Sequence, residues 1–318
     1  MKVLFFGTPL FAANVLEYLL AHGIDVIAVI TKPDRPQGRS AALIPTPVKV
    51  IAQKHNLSYY QPEIVSDPEF AAILEQYQAD LFAVVAYGEI IKQHVLDMPK
   101  VACINLHASL LPKYRGAAPI QHSIINGEKE SGNTVIHLVK KMDAGEMIAV
   151  SKVAIGPNTT YGELEQMLCD DGSALLLKTI RDFEHEPPQS TPQNEKLVTY
   201  APKIELEDCE IDWNQPAKTI HNLVRGINPH PGAWCMVTVK DQPKRLRIIK
   251  TRLGPVSAVS NNEPGNIMSV SKEGILIGCG VDSLYIVQLQ LEGKKAMPAE
   301  EFMRGLPPGA LKLHFKNA

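Results

Sequence analysis

The 318-residue sequence lacks any run of about 20 consecutive apolar residues, the length that a membrane-spanning helix requires. Its first residues, MKVLFFGTP, are typical of a β-strand. They lack the charged, apolar and small-residue order of a signal peptide and the Arg- and Ser-rich character of a transit peptide. With 45% hydrophobic residues the chain can bury a large core, and its length predicts two domains.

Cysteine is scarce, and no CxxC pair occurs. The five cysteines are an odd, scattered set, namely Cys103, Cys169, Cys209, Cys235 and Cys279. This pattern argues against a disulfide framework and against a zinc site, and it fits a reducing cytoplasm. No pair of histidines has metal-ligand spacing beside acids or cysteines, so we expect no metal.

Three common motifs are also missing. GTPLFAA, after the first predicted strand, is not a G-x-G-x-x-G fingerprint, and the sequence contains neither G-x-x-x-x-G-K-[ST] nor G-x-S-x-G. Dinucleotide binding, ATP binding and an activated serine nucleophile therefore lose their usual support in the sequence.

Acidic residues dominate the first two thirds of the chain and basic residues the last third. Residues 1–212 carry 18 Lys and Arg against 27 Asp and Glu, and residues 213–318 carry 14 against 7, although the overall charge is only -2. A basic second part favours a polyanionic partner. Chance clustering on a solvated face is an equally good interpretation of the charges alone.

Short apolar runs alternate with segments of helical spacing in the first half. The runs VLFFG, IDVIAVIT, DLFAVVAYG and VACINLH are typical of strands, and a helical pattern between the first two ends at Gly23. This alternation predicts an α/β domain with a mostly parallel sheet. Ligands of such sheets bind outside the carboxyl ends of the strands, where Tyr87-Gly88 and His107-Ala108-Ser109 fall.

The remainder predicts a different architecture. A hairpin is expected around Asp143-Ala144-Gly145, in a turn that Gly145 makes tight. It is followed by a helix from about Tyr161 to His185 and by a stretch rich in Pro, Gln and Thr that indicates a linker. A short helix near 216–226 and several alternating runs with Gly and Pro between them follow. They predict a small barrel or sandwich.

Asn105 and His107 are the polar residues of an apolar strand, CINLH, and residues at i and i+2 project from the same face. Together with Asp143 they suit acyl transfer to an amine. An Asn amide and an imidazolium can donate hydrogen bonds to the oxyanion, and a carboxylate can orient the ring and receive a proton. The alternative is a buried Asn–His hydrogen-bonded pair that only holds two strands together. Cys103 is better explained as a buried, inert thiol than as a nucleophile.

CINLHASLLPKYRGAAPIQ resembles the N-L/V-H-x-S-L-L-P-x-x-R-G signature of folate-dependent formyltransferases, and MDAGEMI resembles that family's second signature. Further stretches, among them MKVLFFGTPLFA, LVTYAPKIELEDCEIDW and RGINPHPGAW, resemble the branch that acts on methionyl initiator tRNA. The resemblance runs in matching order along the whole chain.

This resemblance implies a Rossmann-like catalytic domain at 1–186, a linker at 187–208 and a C-terminal OB-like β-barrel domain at 209–318 that binds tRNA. It implies formyl transfer from 10-formyltetrahydrofolate to the α-amine of methionyl initiator tRNA, for translation initiation. It also implies a bacterial, cytoplasmic monomer with these two substrates as its partners.

The same resemblance assigns site residues. Asn105, His107 and Asp143 would be catalytic. The folate would be bordered by one group of residues, namely Ser109, Leu110, Leu111, Pro112, Ala86, Tyr87 and Gly88. The tRNA would be bound by another, namely Lys32, Arg35, Arg39, Lys244, Arg245, Arg247 and Lys250.

The loop TKPDRPQGRSAALIP departs from the family pattern. Where the family has Gly followed by two basic residues, this chain has Ser40-Ala41-Ala42, although Arg39 remains. We therefore expect weaker contact between this loop and the acceptor stem. We also expect the loop to be unordered without tRNA.

Two alternatives stay open on the sequence. The first domain could transfer formyl to a nucleotide sugar or hydrolyse formyl-folate, although the second domain and the 31–49 loop disfavour this. The chain could instead be an RNA-binding protein with an inactive formyltransferase-like domain, although it keeps all three polar residues of the site.

Overall fold

A computed structural model describes residues 1–36, 42–239, 241–255, 263–307, 310–314 and 316. Contacts divide the chain into two compact units. The first contains Met1–Pro119, Glu130–Ala154 and Glu165–Ala201. The second contains Ile120–Lys129, Ile155–Leu164 and the chain from Pro202 onward. The linker expected at 187–208 thus lies on both sides of the division at 201/202, and the expected domain bounds stay a prediction.

Strands and helices alternate up to residue 185. The strands are β1 (Lys2–Gly7), β2 (Asp25–Ile30), β3 (Arg35–Pro36), β4 (Leu43–Ile44), β5 (Tyr59–Tyr60), β6 (Leu81–Val85), β7 (Ala102–His107), β8 (Glu130–His137) and β9 (Met147–Ala154). The helices are α1 (Leu10–Ala21), α2 (Pro47–Lys54), α3 (Pro68–Gln76), α4 (Gln93–Leu96), α5 (Pro119–Ile125) and α6 (Tyr161–His185).

The main sheet of the first unit has the order β5-β2-β1-β6-β7-β8-β9. Pairing is parallel from β5 to β7, and β8 and β9 add antiparallel strands at one edge. Alternate residues of β1 enter different apolar clusters. Val3 and Phe5 belong to a cluster that includes Leu16 of α1, and Leu4 and Phe6 belong to a second cluster with Leu74 of α3. Both faces of the sheet are therefore covered, as the alternating sequence predicts.

The second unit is mostly antiparallel. Its elements are α7 (Ala217–Gly226), β10 (Ala233–Val239), β11 (Gln242–Leu253), β12 (Ile267–Ser271), β13 (Gly274–Gly278), β14 (Ser283–Leu291), β15 (Met297–Pro298), α8 (Ala299–Arg304) and β16 (Leu311–Leu313). The sheet order is β12-β13-β14-β11-β10-β16, with β15 paired to β14. Alternating inward residues of β10, such as Cys235 and Val237, pack with Trp213 in its core.

The predicted fold class is confirmed, with a Rossmann-like parallel sheet followed by a curled antiparallel sheet that is consistent with an OB-like fold. The helix predicted over 161–185 has those bounds, and Gly23 has a positive φ of 77° just after α1. Over the described ranges, the structure contains no helix with the length and apolar character needed to cross a bilayer.

Candidate active site

The site forms where the carboxyl ends of β1, β6 and β7 meet at one edge of the sheet. β6 pairs in parallel with both β1 and β7, so the loops after Gly7, Val85 and His107 leave the sheet side by side. At this edge the parallel strands are followed by antiparallel β8, which places Thr134 opposite His107. This is the edge at which the strand order of the sequence predicts a ligand.

Asn105 and His107 lie on the same face of β7 and are only 9% and 6% exposed. The Nε2 of His107 lies 2.9 Å from the carbonyl oxygen of Tyr114. Because a carbonyl can only accept, this nitrogen carries the proton, and Nδ1 is left to face the site. In the described part of the chain, the Asn105 side chain makes no hydrogen bond. The alternative of a mutually bonded Asn–His pair is therefore not what the structure has.

Asp143 reaches the same place from the turn between β8 and β9. One carboxylate oxygen, Oδ1, lies 3.8 Å from Nδ1 of His107, and the other, Oδ2, accepts a 2.8 Å hydrogen bond from the Gly116 amide. The separation of 3.8 Å is longer than a hydrogen bond, so the carboxylate and the ring face each other within ion-pair distance but are not hydrogen-bonded. The structure thus brings together all three side chains that the sequence singled out.

The turn is tight for a reason other than the expected one. Asp143 itself adopts the left-handed conformation, with φ of 50°, which Asp tolerates better than most residues. Glycine is needed at position 145 because the turn passes close to the main chain of His137. A Cβ at this position would lie 1.7 Å from the carbonyl oxygen of His137. Sequence reasoning credited Gly145 with the turn and overlooked the strained backbone of Asp143.

Arg115 is almost fully buried, with 1% exposure, directly after the residue whose carbonyl holds His107. Its Nε and Nη2 donate to Oε1 of Gln193 over 3.0 and 2.8 Å, and Nη2 also donates to Glu195 over 2.8 Å. Hydrogen bonds from Arg115 and then Lys141 lower the pKa of Glu195 from 4.5 to about 2. Sequence reasoning missed Gln193 and Glu195, because a Pro- and Gln-rich stretch indicates a linker and carries no signal of such contacts.

Thr134 holds the S-L-L-P stretch, which contains predicted folate residues, by two hydrogen bonds. Its hydroxyl donates to the carbonyl of Ser109 over 2.7 Å and accepts from the amide of Leu111 over 3.2 Å. Ser109 is fully buried, and its own hydroxyl donates to the carbonyl of Lys113 over 2.7 Å. The stretch from Ser109 to Pro112 is therefore a fixed wall beside His107.

The second predicted folate segment is the loop after β6. Ala86 and Gly88 have positive φ values of 45° and 86°, so the backbone turns sharply at this point. The ring of Tyr87 is buried against Phe6, edge to face, and burial raises the pKa of its hydroxyl. A ligand can therefore meet Tyr87 only through its main chain.

A cavity of about 550 Å³ opens beside this loop. Its lining includes Thr8, Lys32, Arg35 and Gly88, but none of Asn105, His107 and Asp143. Lys32 forms a 2.7 Å ion pair with Glu89 and donates to the carbonyl of Glu63, which partly neutralises its charge, whereas Arg35 is exposed. Arg39, Ser40 and Ala41 lie outside the described residues.

The predicted tRNA contacts of the second unit lie on β11. Lys244 and Arg247 are half-buried, and Arg245 and Lys250 are exposed. The guanidinium of Arg245 stacks over Trp234 at 4.3 Å from the ring centre, and Arg247 donates to the carbonyl of Pro229. β11 therefore carries cations that are braced by an aromatic ring and a backbone carbonyl.

The cysteine thiols of the chain are all buried, which makes them poor nucleophiles. Cys103 is buried, and burial raises the pKa of its thiol to about 12, as expected of an inert thiol and not of an activated nucleophile. All five cysteines are free and buried. No group of three or more His, Cys, Asp or Glu side chains in the described ranges is arranged to hold a metal ion.

Comparisons with known proteins cover nearly the whole chain. The formyl transferase family profile matches residues 1–180, and that of the formyl transferase C-terminal domain matches residues 203–307. A methionyl-tRNA formyltransferase from Protochlamydia amoebophila is 59% identical over 312 residues, which are 98% of this chain and 97% of the relative. One from Chlamydia caviae is 44% identical over 318 residues, 100% of this chain and 99% of the relative.

Solved structures share the fold at low sequence identity. An N-formyltransferase from Helicobacter canadensis, in complex with folinic acid and dTDP-3-aminofucose, has a TM-score of 0.65 and 23% identity, over 89% of this chain and 98% of that chain. HypX from Aquifex aeolicus, in complex with tetrahydrofolic acid, has a TM-score of 0.61 and 17% identity, over 98% of this chain and 48% of that chain. Below 25% identity these similarities establish the fold alone.

Proposed function

The chain belongs to the formyl transferase family and, within it, to the methionyl-tRNA formyltransferases, and from this premise we propose how its own residues perform the reaction. The enzyme transfers a formyl group to the α-amine of methionine esterified to initiator tRNA. The donor in this proposal is 10-formyltetrahydrofolate. A folate co-substrate is supported by the folate derivatives named with the structural neighbours.

The reaction forms one bond and breaks one. The neutral amine attacks the formyl carbon, the carbonyl oxygen becomes an oxyanion, and the bond between the formyl carbon and N10 of the folate then breaks. The amine nitrogen gives up a proton, and N10 takes one. An α-amine titrates near about 7.7–8.0, so a neutral fraction is present near neutral pH, and the enzyme mainly has to position the amine and stabilise the charge.

Asn105 donates a hydrogen bond to the oxyanion. The observation that carries this proposal is the position of Asn105: the residue is only 9% exposed, lies on the same face of β7 as His107, and its side chain has no hydrogen-bond partner in the described ranges. The amide is therefore left free to bind a ligand at the carboxyl end of the strand. Removing one oxyanion donor typically costs about 2.7–4 kcal/mol in transition-state stabilisation.

His107 presents Nδ1 to the reacting centre, because Nε2 is held by the carbonyl of Tyr114. In its protonated form Nδ1 donates to the oxyanion. Asp143, 3.8 Å away, stabilises that imidazolium and takes up the proton of the amine directly or through water. Catalytic hydrogen bonds of this kind commonly tighten only when substrate is bound.

The folate lies against two walls, the stretch Ser109–Pro112 and the main chain of Ala86–Gly88. Both follow neighbouring parallel strands, so they face the same crevice.

The acceptor end of the tRNA approaches past Arg35, with Arg39 as a further contact. The phosphates of the tRNA bind β11 through Lys244, Arg245, Arg247 and Lys250, and this contact gives an affinity that falls with salt. Lys32 acts mainly through its ion pair with Glu89, and less as a contact to the tRNA.

We place the protein in the bacterial cytoplasm as a monomer. The cytoplasm is supported by five free, buried cysteines and by translation as the process that uses the product. The monomer remains an expectation from the family. Sugar formylation, the runner-up for the first unit, has less support, because the curated relatives that match over the full chain are named for methionyl-tRNA.

The test is formyl transfer from 10-formyltetrahydrofolate to Met-charged initiator tRNA. We expect turnover by the wild type and losses of about 10²–10⁴-fold in kcat for His107→Ala and for Asp143→Asn, with tRNA affinity retained. A dTDP-amino sugar and water serve as competing acceptors, read as formylated sugar and free formate. Salt-sensitive tRNA binding without turnover would instead identify an RNA-binding protein and refute the proposal.

A further inference from the structure

We propose that Gln193 is a positioning residue of this enzyme, which locks the Asp143 turn to the loop that holds His107. The inference deepens the function proposed above and rests on it. Gln193 lies in the Pro- and Gln-rich stretch after α6, and it does not touch the reacting groups itself. It acts through Asp143 and Arg115.

The side chain of Gln193 uses both ends of its amide. Nε2 donates to the carbonyl oxygens of Asp143 and Gly145 over 2.7 and 2.8 Å. Oε1 accepts from Nε and Nη2 of Arg115 over 3.0 and 2.8 Å. One half-buried side chain therefore makes four hydrogen bonds, and they divide evenly between the two loops that carry the site.

These bonds close a ring around the catalytic carboxylate. Gln193 binds the main chain of Asp143, the carboxylate of Asp143 accepts from the Gly116 amide, and Gly116 follows Arg115, which returns to Gln193. Tyr114, whose carbonyl holds His107, directly precedes Arg115 of this ring. The positions of both catalytic groups, Asp143 and His107, thus depend on the side chain of Gln193.

The segment around Gln193 is anchored on both sides. Thr191 exchanges two 2.8 Å main-chain hydrogen bonds with Met147, at the start of β9. Thr199 accepts from the Arg115 amide through its carbonyl and from the Tyr114 amide through its hydroxyl, each over 2.9 Å. The segment from 191 to 201 is therefore hydrogen-bonded to both loops. Because it is held on both sides of Gln193, the main chain of Gln193 can move little.

The Asp143 turn needs such a brace, because its own conformation is unfavourable. Asp143 has a positive φ, and the turn makes close contact with the carbonyl of His137 at Gly145. A displacement of about 1 Å at a catalytic group can cost about 10²-fold in rate. Loss of the two bonds from Nε2 removes the constraint that holds the turn in place.

Two substitutions separate the two ends of the amide. Gln193→Ala removes all four bonds. Gln193→Glu keeps an acceptor for Arg115 but cannot donate to the carbonyls of Asp143 and Gly145. We expect both variants to lower kcat by at least about 10-fold, with KM for both substrates within about twofold of wild type. The matched control is Gln53→Ala, which removes an exposed glutamine whose Nε2 donates to the hydroxyl of Tyr59 over 3.2 Å.

A double-mutant cycle distinguishes positioning from a general loss of stability. If Gln193 acts through Asp143, then Gln193→Ala changes kcat by less than about twofold in the Asp143→Asn background. An undiminished loss in that background would overturn the inference, as would a Gln193→Ala enzyme with wild-type kcat.

Hydrogen exchange tests the brace without any substrate. The Gly116 amide, which donates to Asp143, should exchange at least about 10-fold faster in Gln193→Ala and unchanged in Gln53→Ala. Unchanged exchange of Gly116 would refute the brace whatever the activity of the protein. A wild type without transferase activity but with faster exchange in Gln193→Ala would refute only the proposed reaction.

Discussion

The sheet edge of the first unit and strand β11 of the second unit both carry polar side chains, but they hold them in opposite ways. At the sheet edge, Asn105, His107 and Arg115 are more than nine-tenths buried, and the groups around them bond to one another. On β11, Arg245 and Lys250 are exposed, and the guanidinium of Arg245 stacks on Trp234. The first arrangement fixes atoms in place, and the second presents charge to water.

The difference fits what the proposed function requires each region to recognise. A reacting carbonyl requires donors placed to a fraction of an ångström, which largely buried groups on a rigid, hydrogen-bonded framework provide. Phosphates on a long polyanion are bound largely by the sum of charges and by the counterions released, so individual cations can stay mobile. We expect substitutions to have steep, geometry-dependent effects at the sheet edge and shallow, salt-dependent effects on β11.

Outside the three candidate catalytic side chains, the largest effect should come from Gly145→Ala. The added Cβ would lie 1.7 Å from the carbonyl of His137, so the turn has to move and carry Asp143 with it. We expect transfer to fall by about 10²-fold and stability by about 1–3 kcal/mol, as measured by kcat and by denaturant unfolding.

Gly23→Ala is the matched control for that change. It has a φ of 77° and no heavy atom within 4 Å of the added Cβ, so it should cost a similar 1–2 kcal/mol, roughly, through backbone strain alone. Its kcat should equal that of the wild type. Equal losses of transfer in both variants would mean that stability, and not the placement of Asp143, limits the rate.

A smaller effect should follow from removal of charge on β11. The variant combines Lys244→Ala with Lys250→Ala, and the measurement is the slope of log tRNA affinity against log salt concentration. We expect this slope to become shallower by about 2, because each phosphate that is no longer neutralised lowers it by about one unit. The kcat at saturating tRNA should not change. Lys152→Ala combined with Lys178→Ala removes the same charge from the first unit, and an equal change of slope there would contradict the assignment to β11.

The smallest effect concerns Glu195, which is exposed. Its pKa is lowered from 4.5 to about 2 by hydrogen bonds from Arg115 and Lys141, so its ionised form stabilises the folded state above about pH 4.5. That contribution fades as the pH falls towards 2. The wild type should therefore melt above Glu195→Gln at pH 6, and the difference should shrink between pH 4.5 and pH 2. A gap that stays constant over this range would show that the carboxylate charge contributes nothing.

Much of the fold could be predicted because its signals are local. The apolar runs of β1, β2, β6 and β7 and the helical spacing of α6 are visible in the chain, and the order of these elements predicts a parallel sheet. The same logic predicted the edge where Asn105 and His107 lie. It also predicted that Asp143 would arrive on a hairpin, although the pattern credited the turn to Gly145.

The contacts of the segment from 191 to 201 could not be predicted in this way. Its composition is typical of a linker, and Gln193, Glu195 and Thr199 have no periodicity that indicates a partner. Their partners are 50 to 85 positions away in the chain, at Arg115, Asp143 and Tyr114, so only folding brings them into contact. The burial of Arg115 was not predicted either, because an Arg in a loop is usually exposed.

The sequence by itself determined the order of the elements, the face of β7 that carries Asn105 and His107, and the basic character of β11. Each of these depends on residue type and on spacing along one strand. Only the tertiary structure decided which nitrogen of His107 is free, how the Asp143 turn is held and which chain segment braces it. Those features depend on hydrogen bonds between distant residues, whose directions are set by the packed backbone and leave no pattern in the local sequence.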